Sequence, residues 1–206
     1  MDKKQLKQYI AKTAYNIGFG AKKNFASYDI IRNTNEYISM ISMAIGILAL
    51  VFETFNEKTI SALLLIAGIV GLYISKFESM LNDYDEIGVT NTKHFNELNV
   101  LYYKVDEIDA NTDEILSQVK GIENDFYSKT ISKQVYFSGW YAHYKFFYQF
   151  QSEWIVKELK LTFWKDKIPS SLKVFIFLIL LGIILFLILC LLITNIKSNS
   201  CVIYIS

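Results

Sequence analysis

The sequence predicts an all-α membrane protein with an N-terminal amphipathic helix, a two-span transmembrane hairpin, a long cytoplasmic helical and coiled-coil region, and a C-terminal third transmembrane helix. Three observations predict it. Hydrophobic residues fill 52% of the 206 positions and aromatics 16%, and mean hydropathy is +0.26, which is too apolar for an ordinary soluble domain. Charged residues still make up 20%, so the apolar residues must be gathered into segments. Between those segments the chain carries a helical periodicity of three and four.

Residues 1–36 form the first element, a basic cytoplasmic helix carrying Lys3, Lys4, Lys7, Lys12, Lys22, Lys23 and Arg32. Beside a membrane, attraction to anionic headgroups is the simpler use of this charge than nucleic-acid binding. The hairpin follows over residues 37–75, with spans at about 37–55 and 60–75 joined by the polar turn Glu53 to Thr59. Each arm is short for a 30 Å hydrocarbon core, but a water-exposed apolar hairpin would aggregate, so both are read as spans. No small-residue cleavage pattern follows the first, which therefore stays in the mature chain. Glu53 marks the edge of the first span; an acid there is also suited to a pore mouth.

Basic residues cluster before the first span, and Lys58 alone lies in the turn. The N-terminus is therefore expected in the cytoplasm. Residues 76–171 are then cytoplasmic, in agreement with Lys157, Lys160, Lys165, Lys167 and Lys173 beside the third span. That span, 172–194, holds no internal charge after Lys173 and is long enough to cross a bilayer. The tail 195–206 is expected outside.

Within the cytoplasmic region, Leu98, Leu101, Val105, Ile108, Thr112, Ile115, Val119, Ile122 and Phe126 step by three and four. This is a heptad pattern across 98–126, with Thr112 as its polar, register-fixing member. It serves either packing on the chain's own helices or a coiled coil between protomers, for which Leu98 to Ile122 are the candidate oligomerisation residues. The segment 140–164 crowds Trp140, Tyr141, Tyr144, Phe146, Phe147, Tyr148, Phe150, Trp154, Phe163 and Trp164 among lysines. An interfacial helix explains it better than a stacking platform for single-stranded nucleic acid, because no groove or sheet presents the rings. Pro169, the only proline, with Ser170 and Ser171 then separates this segment from the third span.

Small residues recur at helical spacing in the hairpin: Ser42 and Gly46 in one arm, Ala67, Gly71 and Ser75 in the other. Such spacing lets helix backbones approach closely, either within one hairpin or between protomers around a pore.

Chemistry is sparse. The two histidines, His94 and His143, are far apart in sequence and no cysteine lies near either, so no metal site and no cofactor is expected. Phosphate loops, nucleophile elbows and zincin helices are absent. Asp85-Glu86 and Asp106-Glu107 are adjacent acids that point apart on a helix. The chain is read as no enzyme. Cys190 lies in the third span and Cys201 in the tail, so no disulfide framework is expected. The acidic stretch from Asp83 to Asp125 argues against direct nucleic-acid binding.

Several runs carry a resemblance. Ala14-Tyr15-Asn16-Ile17, Ala21-Lys22-Lys23-Asn24-Phe25 and Tyr28-Asp29-Ile30-Ile31-Arg32 lead into Tyr37-Ile38-Ser39-Met40-Ile41-Ser42. Asp83-Tyr84-Asp85 and Thr90-Asn91-Thr92-Lys93-His94-Phe95-Asn96-Glu97-Leu98 follow the hairpin. The chain resembles the SLATT family, and its third span is most similar to the fifth subfamily. Tyr15, Lys23, Phe25 and Arg32 sit where recurrent basic and aromatic residues are expected, without a ligand-contact role. The resemblance implies an effector in the bacterial inner membrane that oligomerises, opens or breaches that membrane and stops the cell before phage matures. It also implies a genomic neighbour such as a nucleotidyltransferase or reverse transcriptase. A non-killing membrane scaffold recruiting a soluble partner through the coiled-coil helix is the alternative.

Overall fold

The computed structural model describes the backbone of residues 1–203 and the side-chain surroundings of residues 1–188 other than Asn56. Cys190, Cys201 and the tail expected at 195–206 lie outside the described side chains. The regular elements among the described residues are helical, and the chain divides into two compact units, residues 1–161 and 162–206.

The first unit is organised by α1, a single helix from Lys3 to Ala49. Asp2 starts it by accepting a hydrogen bond from the Gln5 backbone N–H at 2.6 Å, which satisfies one of the orphan amides of the first turn. At 1.5 Å per residue this rod is about 70 Å long. One stripe of residues at steps of three and four lies inward along it: Ile10, Ala14, Ile17, Ala21, Asn24 and Ile31 are buried. The same stripe continues, half-buried, through Asn35, Ile38, Ser42, Ile45 and Ala49. The basic helix and the first apolar arm, expected as separate elements, are thus one helix with one seam.

Helix α2 (Lys58–Ser75) follows a short 3₁₀ turn at Glu53–Asn56, and α3 (Leu81–Lys104) follows another at Glu78–Met80. α3 returns antiparallel along α1, setting Phe25 against Gly88, Phe95 against Gly18 and Asp106 against Lys7. Then come α4 (Thr112–Ser128), α5 (Ser138–Tyr148) and α6 (Glu153–Glu158). Their inward faces close the larger core, in which Leu6, Ile17, Leu98, Val119, Phe146 and Ile155 are fully buried. A smaller core of Ile31, Ile74, Phe77, Tyr84 and Val135 sits at the foot of the hairpin.

Buried polar groups of α1 lie between the residues of these two cores. Asn24 and Ser27 are both buried, and Gln134 serves both: its Nε2 donates to Asn24 Oδ1 at 3.1 Å while its Oε1 accepts from the Ser27 hydroxyl at 2.7 Å. Such groups are costly to bury unless paired, so the pairing fixes how the 129–137 loop lies on α1.

Two expectations are corrected here. The heptad run 98–126 is not one helix: α3 ends at Lys104 and α4 begins at Thr112, where Asn111 caps the new helix by accepting from the Asp113 and Glu114 N–H groups. Ile108 lies in the intervening turn and is 97% exposed, and Thr112 is the first residue of α4 rather than a mid-seam polar layer. Leu98, Leu101, Val105, Ile115 and Val119 are buried within this chain, with Ile122 packed against the same core, because α1 supplies the apolar face they require. The second correction concerns 140–164, which is not one interfacial helix. α5 and α6 turn Phe146, Phe150 and Trp154 inward, where Phe95 meets the Phe150 ring at 4.4 Å and Tyr102 meets Trp154 at 4.7 Å. Tyr141, Tyr144 and Tyr148 remain on the outer face of α5.

Several basic residues of α1 are engaged internally. Lys3 Nζ donates to the Glu107 carbonyl at 2.8 Å, Lys7 pairs with Asp106 at 2.6 Å, and Lys22 Nζ lies 3.7 Å from the Phe150 ring centroid. Burial, with Lys145 nearby, lowers the Lys22 ammonium below the ordinary lysine value.

In the second unit, Asp166 folds back on Thr162, accepting from its N–H at 2.8 Å and its hydroxyl at 3.1 Å. These hydrogen bonds, the backbone one first, hold the Asp166 carboxyl below its usual range. Helix α7 runs from Ser170 to Ile203, longer at both ends than the span expected at 172–194. Its side chains from Val174 to Ile188 are predominantly large, apolar and exposed.

Candidate functional site

Among the described residues, the feature that organises the candidate site is the hairpin of α1 and α2. Two helices among the described residues are long and apolar enough to cross a membrane, Lys58–Ser75 and Ser170–Ile188. The α1 arm is shorter, because α1 closes at Ala49 and the segment expected to complete the span to residue 55 is a turn. From Tyr37 to Ala49 it rises about 20 Å, against about 27 Å for α2.

The arms meet along a seam of complementary spacing. On α2 the seam positions are half-buried Ile60, Leu64, Ala67 and Gly71, ending at buried Ile74 with half-buried Tyr73 beside it; on α1 they are Asn35, Ile38, Ser42, Ile45 and Ala49. Steps of three and four on both helices are the spacing by which the side chains of antiparallel neighbours interdigitate. Gly71 permits the closest approach, since a Cβ there would stand 3.5 Å from Asn35 Oδ1 and 3.8 Å from Ile38 Cδ1. Outside the seam the surface is apolar: Met43, Leu65 and Leu72 are each about 70% exposed.

The five small residues singled out from the sequence divide accordingly. Ser42, Ala67 and Gly71 lie in the seam between the arms. Gly46 is on the outer surface, where an added Cβ would meet nothing within 4 Å, and Ser75 is exposed, its hydroxyl donating to the Leu72 carbonyl at 3.0 Å. Glu53 is exposed in the turn at the hairpin tip.

Polar and aromatic groups fix the foot of the hairpin. Asn35 Nδ2 donates to Glu78 Oε1 at 2.6 Å, joining α1 to the turn beyond α2. The Tyr73 hydroxyl accepts from the Tyr136 backbone N–H at 3.3 Å, and the two rings stack at 5.5 Å. Tyr84 donates to the Lys133 carbonyl, and burial raises its phenol above the ordinary value. The loop 129–137 therefore ties α1, α2 and α3 together. Sequence reasoning missed this loop and the α1 stripe. The stripe's signal, a step of three and four from Ile10 to Ala49, is present but weakened by Ala14, Ala21 and Asn24.

The histidines remain apart. His94 lies between Glu97, at 3.4 Å from Nδ1, and Asp125, at 2.8 Å from Nε2. Lys129 first, then His94, holds the Asp125 carboxyl below its usual range. The His143 ring lies 4.8 Å from Phe19. Among the described residues no group of three or more His, Cys, Asp or Glu is placed to hold a metal ion.

A family model described as "SMODS and SLOG-associating 2TM effector domain 6" matches residues 1–176. The match takes in the hairpin and all of the first unit and ends within the first two turns of α7. Its number is six, where the resemblance pointed to the fifth subfamily. No curated protein and no solved structure matches.

Proposed function

Because this chain belongs to the family of SMODS and SLOG-associating transmembrane effector domains, SLATT for short, we propose that it is an anti-phage membrane effector that opens or disrupts the bacterial inner membrane when a partner triggers it. The observation that carries this reading is the continuity of α1. One helix, without a break between Lys3 and Ala49, is both the spine of the bundle and the first arm of the hairpin. A rearrangement of the bundle reaches the apolar arm without crossing a flexible joint.

The topology proposed is multi-pass, with the N-terminus cytoplasmic, both hairpin arms inserted and α7 as a third span lying mostly beyond the matched domain. A hairpin with arms of about 20 and 27 Å is short for a 30 Å core, and mismatch of this kind favours local thinning and helix association. Assembly into a homo-oligomer would use the outer hairpin surface, where Gly46 and Gly68 leave room for close approach of a second copy. The trigger proposed is a partner protein, such as a nucleotidyltransferase or reverse transcriptase encoded beside it, rather than direct nucleotide binding, since Arg32 is the only arginine and no glycine cradle accompanies it. The proposed role is non-enzymatic. The scaffold alternative loses its proposed surface, because Leu98, Val105, Ile115 and Val119 are covered by the chain's own helices.

The test is phage infection of bacteria carrying this gene with its neighbours. An effector of this kind gives early culture collapse at high multiplicity of infection and survival of the culture at low multiplicity. Identical lysis curves with and without the gene would contradict it.

A further inference from the structure

We propose that the end of the 129–137 loop and the start of α5 form a membrane-interface anchor, with Phe137 seated among the headgroups of an anionic lipid surface. This rests on the hairpin being inserted, as proposed above, and adds a second contact between the bundle and the bilayer.

The position of the loop comes first. Tyr136 is held on Tyr73 by a backbone hydrogen bond at 3.3 Å and by ring stacking at 5.5 Å. Tyr73 lies two residues before α2 ends at Ser75, so the loop is fixed at the level where the apolar arm gives way to charge. Aromatic rings with polar edges favour that level of a bilayer.

The second observation is Phe137 itself. Its backbone is left-handed, φ 67 and ψ −9, a conformation that a bulky side chain adopts only under strain. Its ring is nevertheless 61% exposed, beside a Tyr136 that is 72% exposed, and meets Trp140 edge-on at 5.0 Å. The Phe137 carbonyl starts α5 by accepting from the Tyr141 N–H at 3.0 Å, and the contact with Trp140 still leaves most of the ring's apolar surface in water. Transfer of that exposed surface from water to lipid adds a hydrophobic gain that the chain itself does not supply.

Charge agrees. Lys76, immediately after α2, is exposed, and Lys133 is an exposed residue with its Nζ 4.9 Å from the Phe77 ring centroid. The nearby acid Glu78 is held toward α1 by Asn35 and offsets one of these two charges, leaving a net positive balance among the three. Two lysines flanking exposed aromatic rings select phosphate-bearing headgroups.

The test places nitroxide labels on the full chain in phosphatidylcholine–phosphatidylglycerol liposomes, on a Cys190→Ser, Cys201→Ser background. Labels at Phe137→Cys, at Leu65→Cys in the hairpin and at Ile108→Cys in the α3–α4 turn are compared for access to oxygen and to a water-soluble nickel chelate. The expected result is a deep label at position 65, and at 137 a nickel access about threefold below that at 108 with higher oxygen access. Nickel access at 137 equal to that at 108, while 65 is deep, overturns the anchor and leaves the hairpin reading intact. Loss of both oxygen and nickel access at 137 means burial by protein, such as a second copy, and also overturns it. A water-accessible label at 65 overturns the hairpin reading and the anchor with it. Tyr141→Cys, one turn into α5, reads the same gradient if Phe137→Cys does not fold.

Discussion

Asn35 on α1 donates to Glu78 beyond α2 at 2.6 Å, a hydrogen bond between residues 43 positions apart that closes the hairpin at its foot. Both groups reach solvent, so the bond holds geometry more than it adds stability. Asn35→Ala is expected to cost about 0.5–1.5 kcal/mol. The check is a double-mutant cycle with Glu78→Gln by chemical denaturation in detergent, where a coupling near zero would mean that the foot is held by its small core and the loop contacts of Tyr73 and Tyr84 without this bond.

Gly18 tests the packing of the bundle. A Cβ there would come within 2.6 Å of Phe95 and 2.9 Å of Phe146, rings that belong to two different helices and cannot both retreat. Gly18→Ala gains about 1 kcal/mol in helix propensity. Overpacking outweighs this, so a net loss of about 1–2 kcal/mol is expected in thermal or denaturant unfolding.

The polar groups between the two cores give a third prediction. Gln134→Ala leaves Asn24 Oδ1 and the Ser27 hydroxyl buried without this partner and is expected to destabilise by about 2–3 kcal/mol. Hydrogen exchange is the discriminating readout. Faster exchange should concentrate in 129–137 and the facing turns of α1, and a uniform change across the bundle would contradict the assigned role.

Tyr9 donates to Glu123, and that bond, with burial, pushes its phenol up to about 12 from 10.0. A folded value above the unfolded one means that the contribution is complete below pH 10 and is lost as pH rises through 12. Tyr9→Phe should lower stability by about 1 kcal/mol at neutral pH. It should also flatten the fall in melting temperature between pH 10 and 12; an unchanged alkaline limb would show that Tyr9 does not couple to folding.

Much of the helical content was legible because α2 and α7 are apolar runs bounded by Lys58, Lys76 and Lys173. The continuity of α1 was not legible by composition, since Arg32 and Glu36 mark a change from charged to apolar sequence while the backbone continues unbroken. Only the periodicity, carried on through Ile31, Asn35 and Ile38, crosses that boundary. The opposite error arose at 105–112: the three-and-four spacing runs on through Ile108, yet the Asn111-Thr112-Asp113-Glu114 cap signal interrupts the helix. Which aromatic residues of 140–164 turn inward depends on α1 and α3, and local sequence does not carry that information. For the hairpin, the spacing of Ala67 and Gly71 marked a packing face, but Ser75 and Gly46 share the spacing and lie outside the seam.

The central claim is that the hairpin acts on the membrane, and membrane potential in bacteria expressing this chain from a controlled promoter, alone and with its neighbouring genes, tests it most directly. Gly71→Leu is the comparison, because the 3.5 and 3.8 Å spaces beside Gly71 admit a methyl group but not an isobutyl one. Depolarisation by the wild-type chain once its partner is present, retained by Gly71→Ala and lost in Gly71→Leu, is the predicted result. An intact potential under every condition, phage challenge included, would contradict the account.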